Sequence, residues 1–122
     1  MAFENPVLVL SLPAAADLSS SQHFIVKTSS GTAALAGAGD VAMGVLQNDP
    51  VSGEAASIMV AGVSRLVAGA VIAEGAQVAA DANGKGRTAT TGDIVLGIAL
   101  EAAGADGDII PLLLNVGGAL TV

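Results

Sequence analysis

Gly39-Asp40-Val41-Ala42-Met43-Gly44-Val45-Leu46 and Gly92-Asp93-Ile94-Val95-Leu96-Gly97-Ile98-Ala99 align without a gap, 53 positions apart (39 to 92). In each segment bulky residues alternate with lighter ones: Val41, Met43 and Val45 in the first, Ile94, Leu96 and Ile98 in the second. A period of two predicts strand, and a glycine at the same central place, Gly44 and Gly97, predicts close approach of another backbone. Working outward, Gly31 maps onto Gly84 at the same offset, between Phe24-Ile25-Val26 and Gln77-Val78-Ala79. One inserted residue then sets Gly53-Glu54 opposite Gly107-Asp108. The chain is therefore two copies of one unit, about residues 23–63 and 76–116. Two copies are too few for an open solenoid, which needs about three repeats, so a closed or sandwiched β-domain with pseudo-symmetric halves is expected.

The remaining punctuation agrees. Leu18 to Ala34 is expected to hold a hairpin turning at Ser29-Ser30-Gly31, Ser57 to Val63 a further strand, and Asn83-Gly84 a hairpin turn. Ala-rich Leu66 to Ala82 invites a helix, but Gly69 and Gly75 each cost about 1 kcal/mol there relative to Ala, so strand and turn are expected. Pro111 within Ile109 to Leu114 asks for an edge or a bulge. Residues 1–17 are an N-terminal arm ahead of a β-domain over 18–122. In the arm Pro6 and Pro13 bracket Val7-Leu8-Val9-Leu10-Ser11-Leu12, a run without charge and apolar on both faces. Such a run must be covered on both sides or pair with another sheet's edge. The prolines limit how it continues a sheet of its own domain, so Phe3, Pro6, Val7, Leu8, Val9, Leu10 and Leu12 are the candidate partner-binding residues; an ordinary first strand of the barrel is the competing reading.

Composition narrows the function. Hydrophobic residues make up 52% of the 122, but aromatics only 2%, so Ala, Val, Leu and Ile must fill the core and association would add what it lacks. Eleven acids face four bases, Lys27, Arg65, Lys85 and Arg87, which form no run. Nucleic acid binding needs clusters that neutralise phosphates, so it is not expected. Without cysteine there are no disulfides or thiolate sites. Mean hydropathy is +0.73, yet Arg65, Gly62 and Gly69 break the longest apolar stretch, and the C-terminal one falls short of the ~20 residues a spanning helix needs. Met1 to Asn5 carries Glu4 and no base, unlike a secretory signal. A soluble chain that is not exported and has no membrane partner is expected.

Catalytic and cofactor motifs fail on inspection. Gly37-Ala38-Gly39-Asp40-Val41-Ala42 resembles a dinucleotide fingerprint, but a strand follows where a helix must begin. Gly84-Lys85-Gly86-Arg87-Thr88 lacks both the first glycine and the Ser or Thr of a phosphate loop. Asp106-Gly107-Asp108 has oxygen ligands for a hard cation without the spacing of a calcium loop, and reads as a turn. Asp40 and Asp93 read as turn acids too. The one histidine, His23, has no nucleophile and oxyanion set around it. No enzyme, metal or cofactor is expected.

Taken in order, Asp17-Leu18-Ser19-Ser20-Ser21-Gln22, Phe24 to Lys27, Ala36 to Asp40, Gly44 to Asn48, Pro50, Gly53 to Ala56, Val60 to Ser64, Asp81 to Gly84, Gly92-Asp93, Gly97 to Ala102 and Gly107 to Ile110 resemble the capsid decoration or cement proteins of tailed bacteriophages. The resemblance runs from Asp17 to Gly118. It implies a compact β-barrel or β-tulip domain with an extended arm, and a structural virion protein on the capsid exterior. It also implies a homotrimer at threefold or quasi-threefold positions, with the major capsid protein as partner, holding the shell against packaged DNA. A self-assembling surface or adhesion module and a small ligand-binding β-barrel are the alternatives.

Overall fold

A computed structural model describes residues 3–114. Among them lie nine strands and no helix: β1 (Asn5–Pro13), β2 (Ile25–Ser29), β3 (Thr32–Leu35), β4 (Gly44–Leu46), β5 (Ala55–Val67), β6 (Gln77–Ala80), β7 (Gly86–Thr88), β8 (Gly97–Ala99) and β9 (Ile109–Leu114). All strand pairings are antiparallel. The sheet curls into a half-barrel in the order β3-β2-β4-β5-β9-β8-β6-β7, with β1 paired to β5 off that path. That order is a palindrome of the repeat. Reading outward from the β5–β9 seam gives β4-β2-β3 on one side and β8-β6-β7 on the other. Leu66 to Ala82 carries the end of β5, isolated bridges at Ala68 and Ile72, and the whole of β6.

The registers make the equivalence residue by residue. Gly44 pairs with Val26, and Gly97 with Val78. Val45 and Leu46 pair with Met59 and Ile58, and Ile98 and Ala99 with Leu113 and Leu112. A methyl on Gly44 would overlap the Met59 carbonyl oxygen, and one on Gly97 the Leu113 carbonyl oxygen, so both glycines admit the next strand's backbone as their shared place predicts. The offset of β2 to β6 is one residue smaller than the sequence alignment suggests, because Val26, not Ile25, is the counterpart of Val78. The hairpin turns explain it. Ser30-Gly31 is a two-residue turn with φ of 52° and 79°, whereas Ala82-Asn83-Gly84 has three residues with only Gly84 at positive φ, 81°. The first is a type I′ connection, the second a type I turn closed by a left-handed glycine, so Asn83-Gly84 turns the chain by a different geometry from a two-residue Asn-Gly loop.

One turn closed by an acid recurs four times among the described residues. In Gly37–Asp40, Val51–Glu54, Thr90–Asp93 and Ala105–Asp108 the third residue is Gly at φ of 80°, 85°, 92° and 96°, and the fourth residue's N–H donates to the first residue's carbonyl. This is the type II arrangement, which favours glycine at its third position. In each, the acid at the end accepts the N–H of the first residue, at 2.8, 2.9, 2.7 and 3.2 Å. The Gly-acid pairs of the sequence are thus corners that lock themselves, Asp108 of the Asp106–Asp108 run included.

Several strands are shorter or longer than the sequence implies. The hairpin uses Ile25–Leu35 only, β4 begins at Gly44 after irregular chain from Val41, and β5 runs on to Val67. Pro111 lies neither at an edge nor in a bulge. It sits inside β9 between β5 and β8, where its carbonyl accepts the Leu100 N–H and the β8 ladder ends for want of a proline N–H to return the bond. The expected tail at Gly117-Gly118, and the end of the second repeat at 116, lie outside the described residues.

The core has two compartments. The larger joins Ile25, Val45 and Met59 of the first repeat to Leu66, Val78, Ile110, Leu112 and Leu114. The smaller packs Val26, Leu46, Ala56 and Ile58 against Ala14 and Leu18. The first repeat is therefore buried on both faces of its sheet.

Candidate interaction surface

β1 is a strand of its own domain, contrary to the expectation that its prolines would keep it out. It runs antiparallel along β5 from Asn5, opposite Val63, to Pro13, opposite Ala55. The prolines fall at the ends of the ladder, and the register slips on either side of Leu8. Gly62, at φ 109°, makes room for this: a side chain there would meet the Asn5 carbonyl oxygen and the Val7 nitrogen, 2.8 Å away in the latter case. Of the predicted residues, Phe3, Pro6, Val7, Leu8, Val9 and Leu10 are all exposed, Val7 at 78%, and Leu12 alone is partly buried, against the smaller core compartment. An uncharged apolar strand bared to solvent on this scale is rare in a protein that works alone.

The foot of β1 lies against His23. The Glu4 carboxylate lies 3.5 Å from His23 Nε2. His23 adopts φ 67°, its N–H donates to the Leu46 carbonyl and its carbonyl accepts from Val67, so one residue ties β1, β4 and β5. Burial pushes the imidazole below its ordinary pKa, and Arg65 pushes the same way against the pull of Glu4.

Three further ion pairs among the described residues lie within the repeats. Lys27 Nζ meets Asp40 at 2.8 Å. Arg87 grips Asp93 with both terminal nitrogens, at 2.6 and 2.8 Å, and with the Thr90 N–H brings its carboxyl down to about 2. These are the same bridge with the cation moved across the hairpin: Lys27 sits on β2 opposite Ala34, while Arg87 sits on β7 opposite Ala79. Lys85 pairs with Asp106 at 3.0 Å. Among the described residues no group of three His, Cys, Asp or Glu could hold a metal ion. A recess of about 190 Å³ beside β1, lined by Ser11, Leu12, Pro13, Gly53 and Ala55, is below the ~300 Å³ typical of small-molecule sites.

Sequence reasoning missed a second apolar surface. Val63, Leu113, Ile98 and Gln77 stand directly opposite one another across β5, β9, β8 and β6, and so share one face. Leu113 and Ile98 are 42% and 39% exposed. Their counterparts in the first repeat, Met59 and Val45, are 2% and 0% exposed. The sequence signals two equally apolar strands, and no local pattern says that only one is covered.

Short strands, self-locked corners and a repeated half-sheet define a structural all-β domain with apolar strand surface in reserve. The profile of the phage cement proteins matches residues 4–114, and the chain belongs to that family, which makes it a capsid-associated structural protein of the phage virion. Among solved structures, the gp8.5 head fiber N base of bacteriophage phi29 superposes with a TM-score of 0.74 over 94% of this chain and 98% of that one, at 16% identity, a likeness of fold. No curated protein matches the sequence.

Proposed function

We propose that the protein decorates the exterior of a phage capsid, as a homotrimer at threefold or quasi-threefold positions, and cements neighbouring major capsid subunits against the pressure of packaged DNA. It joins the shell during assembly in the host cytoplasm. The observation that carries the reading is β1: an apolar strand, without charge from Asn5 to Pro13, paired along one edge and open to solvent elsewhere. A shell subunit laid on it would remove Val7, Val9 and Leu10 from water and gain main-chain hydrogen bonds at its free edge. The acidic, base-poor remainder suits a surface turned away from DNA.

The test is co-sedimentation with emptied, expanded phage shells. The native chain is expected to bind, and Val7→Asp, a change at a side chain 78% exposed, to lose at least tenfold in affinity while keeping its circular dichroism spectrum. A chain lacking residues 2–13 should lose binding too. Failure of the native chain to bind shells overturns the function, and full binding by Val7→Asp overturns the role of β1.

A further inference from the structure

We infer that a shell subunit adds one short strand to β1, antiparallel to it, on the edge turned away from β5, hydrogen-bonded at Val9 and Ser11 and ending at Pro13. The inference deepens the proposed decoration of capsids and rests on it. Its first support is that β1 is itself a strand of the repeat. Val9 to Pro13 lie opposite Met59 to Ala55 as Val63 to Val67 lie opposite Leu113 to Ile109, 54 positions on (9 to 63, 59 to 113). β1 therefore stands to β5 as the second half of β5 stands to β9. On that half of β5 the edge away from β9 is taken: Val63 lies opposite Asn5 of β1, and the Val67 N–H donates to the His23 carbonyl. The strand found there, Asn5 to Val9, is antiparallel and uncharged. The counterpart edge of β1, from Asn5 to Pro13, carries no strand among the described residues.

The directions of the amides define what fits. The Ser57 N–H donates to Asn48 and its carbonyl accepts from Gln47, both away from β1. Alternation along an antiparallel ladder then turns Ala56 and Ile58, with Leu12 and Leu10 opposite them, into the β1–β5 pairing, and turns Val9, Ser11 and Pro13 outward. Pro13 has no N–H to leave open, so Val9 and Ser11 are the two donors this edge offers past the irregularity at Leu8. Beyond Pro13 the edge is closed, since the Ala15 N–H donates to the Ala33 carbonyl of β3. That closure excludes a second copy. Its β1, laid antiparallel with Val9 opposite Ser11, would carry Pro6 and Asn5 onto Ala14 and Ala15, where Ala33 sits. The end strands of the sheet, β3 and β7, are closed in turn by the Ala15 and Gly69 N–H groups. A short strand of the shell remains, and the recess lined by Ser11, Leu12, Pro13, Gly53 and Ala55 seats one of its apolar side chains.

Hydrogen exchange read residue by residue tests this. In the free chain the Val9 and Ser11 amides should exchange fast and those of Leu10 and Leu12 slowly. On emptied, expanded phage shells the Val9 and Ser11 amides should slow at least tenfold. Ser11→Pro removes one outward N–H and no bond to β5, so it should lower shell affinity at least tenfold with the circular dichroism spectrum unchanged, while Ser11→Ala binds as the native chain does. Bound native chain whose Val9 and Ser11 amides stay fast, or a folded Ser11→Pro that binds in full, overturns the inference and leaves the decoration reading standing. Val9 and Ser11 amides already slow in the free chain overturn it too, because the edge is then covered without the shell. Where Ser11→Pro fails to fold, the exchange of the native chain on shells decides. A native chain that binds no shell overturns both readings.

Discussion

Met59 and Leu113 hold the same place in two copies of one unit, and one is sealed in the core while the other faces solvent. The local pairings are alike: each lies opposite the residue after the central glycine of its own repeat. What differs is the neighbourhood. Apolar side chains of the first repeat fill both compartments, with Ala14 and Leu18 closing the smaller one, while the second repeat contributes to the larger one only and leaves Leu113 and Ile98 exposed. Repetition dictates backbone and corners; burial is decided by what the rest of the chain lays on top.

The widest separation between the halves is expected from truncating these two side chains. Met59→Ala should cost about 3 kcal/mol, the lost transfer energy plus the cavity left behind, and Leu113→Ala no more than about 0.5 kcal/mol in the isolated chain. Urea denaturation of dilute protein measures both. Equal losses would mean that the β8–β9 face is covered already and that the halves are alike in packing as well as in pairing.

The corners and central glycines were legible because their causes are local. Gly-Asp fixes a type II turn wherever it falls, and a glycine inside an alternating strand has few other uses. The length of the hairpin turns was less legible, since one residue between Ser30-Gly31 and Ala82-Asn83-Gly84 shifts a register without changing composition. β1 was legible as an apolar strand but not as a member of its own sheet, because its place depends on Gly62, more than fifty residues on, leaving room for it. The exposed row at Leu113 and Ile98 was invisible for the opposite reason: its sequence is that of a buried strand.

Acid should separate the repeats next. Asp93 is held at about 2 by Arg87 and the Thr90 N–H, against an ordinary 3.8. Its folded pKa lies below its unfolded one, so its stabilisation is whole above about pH 4 and is lost as the pH falls towards 2. Asp40 is lowered in the same sense by Lys27 and the Gly37 N–H, through a single ammonium rather than a two-pronged guanidinium. Asp93→Asn should therefore flatten the acid limb of the stability curve more than Asp40→Asn, in denaturation midpoints taken from pH 5 to pH 2. The reverse order would mean that the Arg87 grip adds nothing over the lysine.

The smallest effect is the most exacting check of the repeat, because it asks whether the two bridges are one device. Lys27 and Arg87 reach equivalent aspartates from opposite strands of equivalent hairpins, each across from an alanine. Lys27→Ala removes the leading cause of the lowered Asp40 pKa, so that carboxyl should move up towards 3.8, followed by NMR through its side-chain carbon. Adding Ala34→Arg puts a cation where the second repeat carries one, on the third strand instead of the second. If the geometry is truly repeated, the guanidinium reaches Asp40 as Arg87 reaches Asp93 and the pKa falls again. Stability should change little in either variant, since solvent-facing pairs contribute little. A carboxyl that stays high in the double variant would show that the hairpins, although alike in register, direct their outer strands differently, and that the swapped cation compensates for that difference.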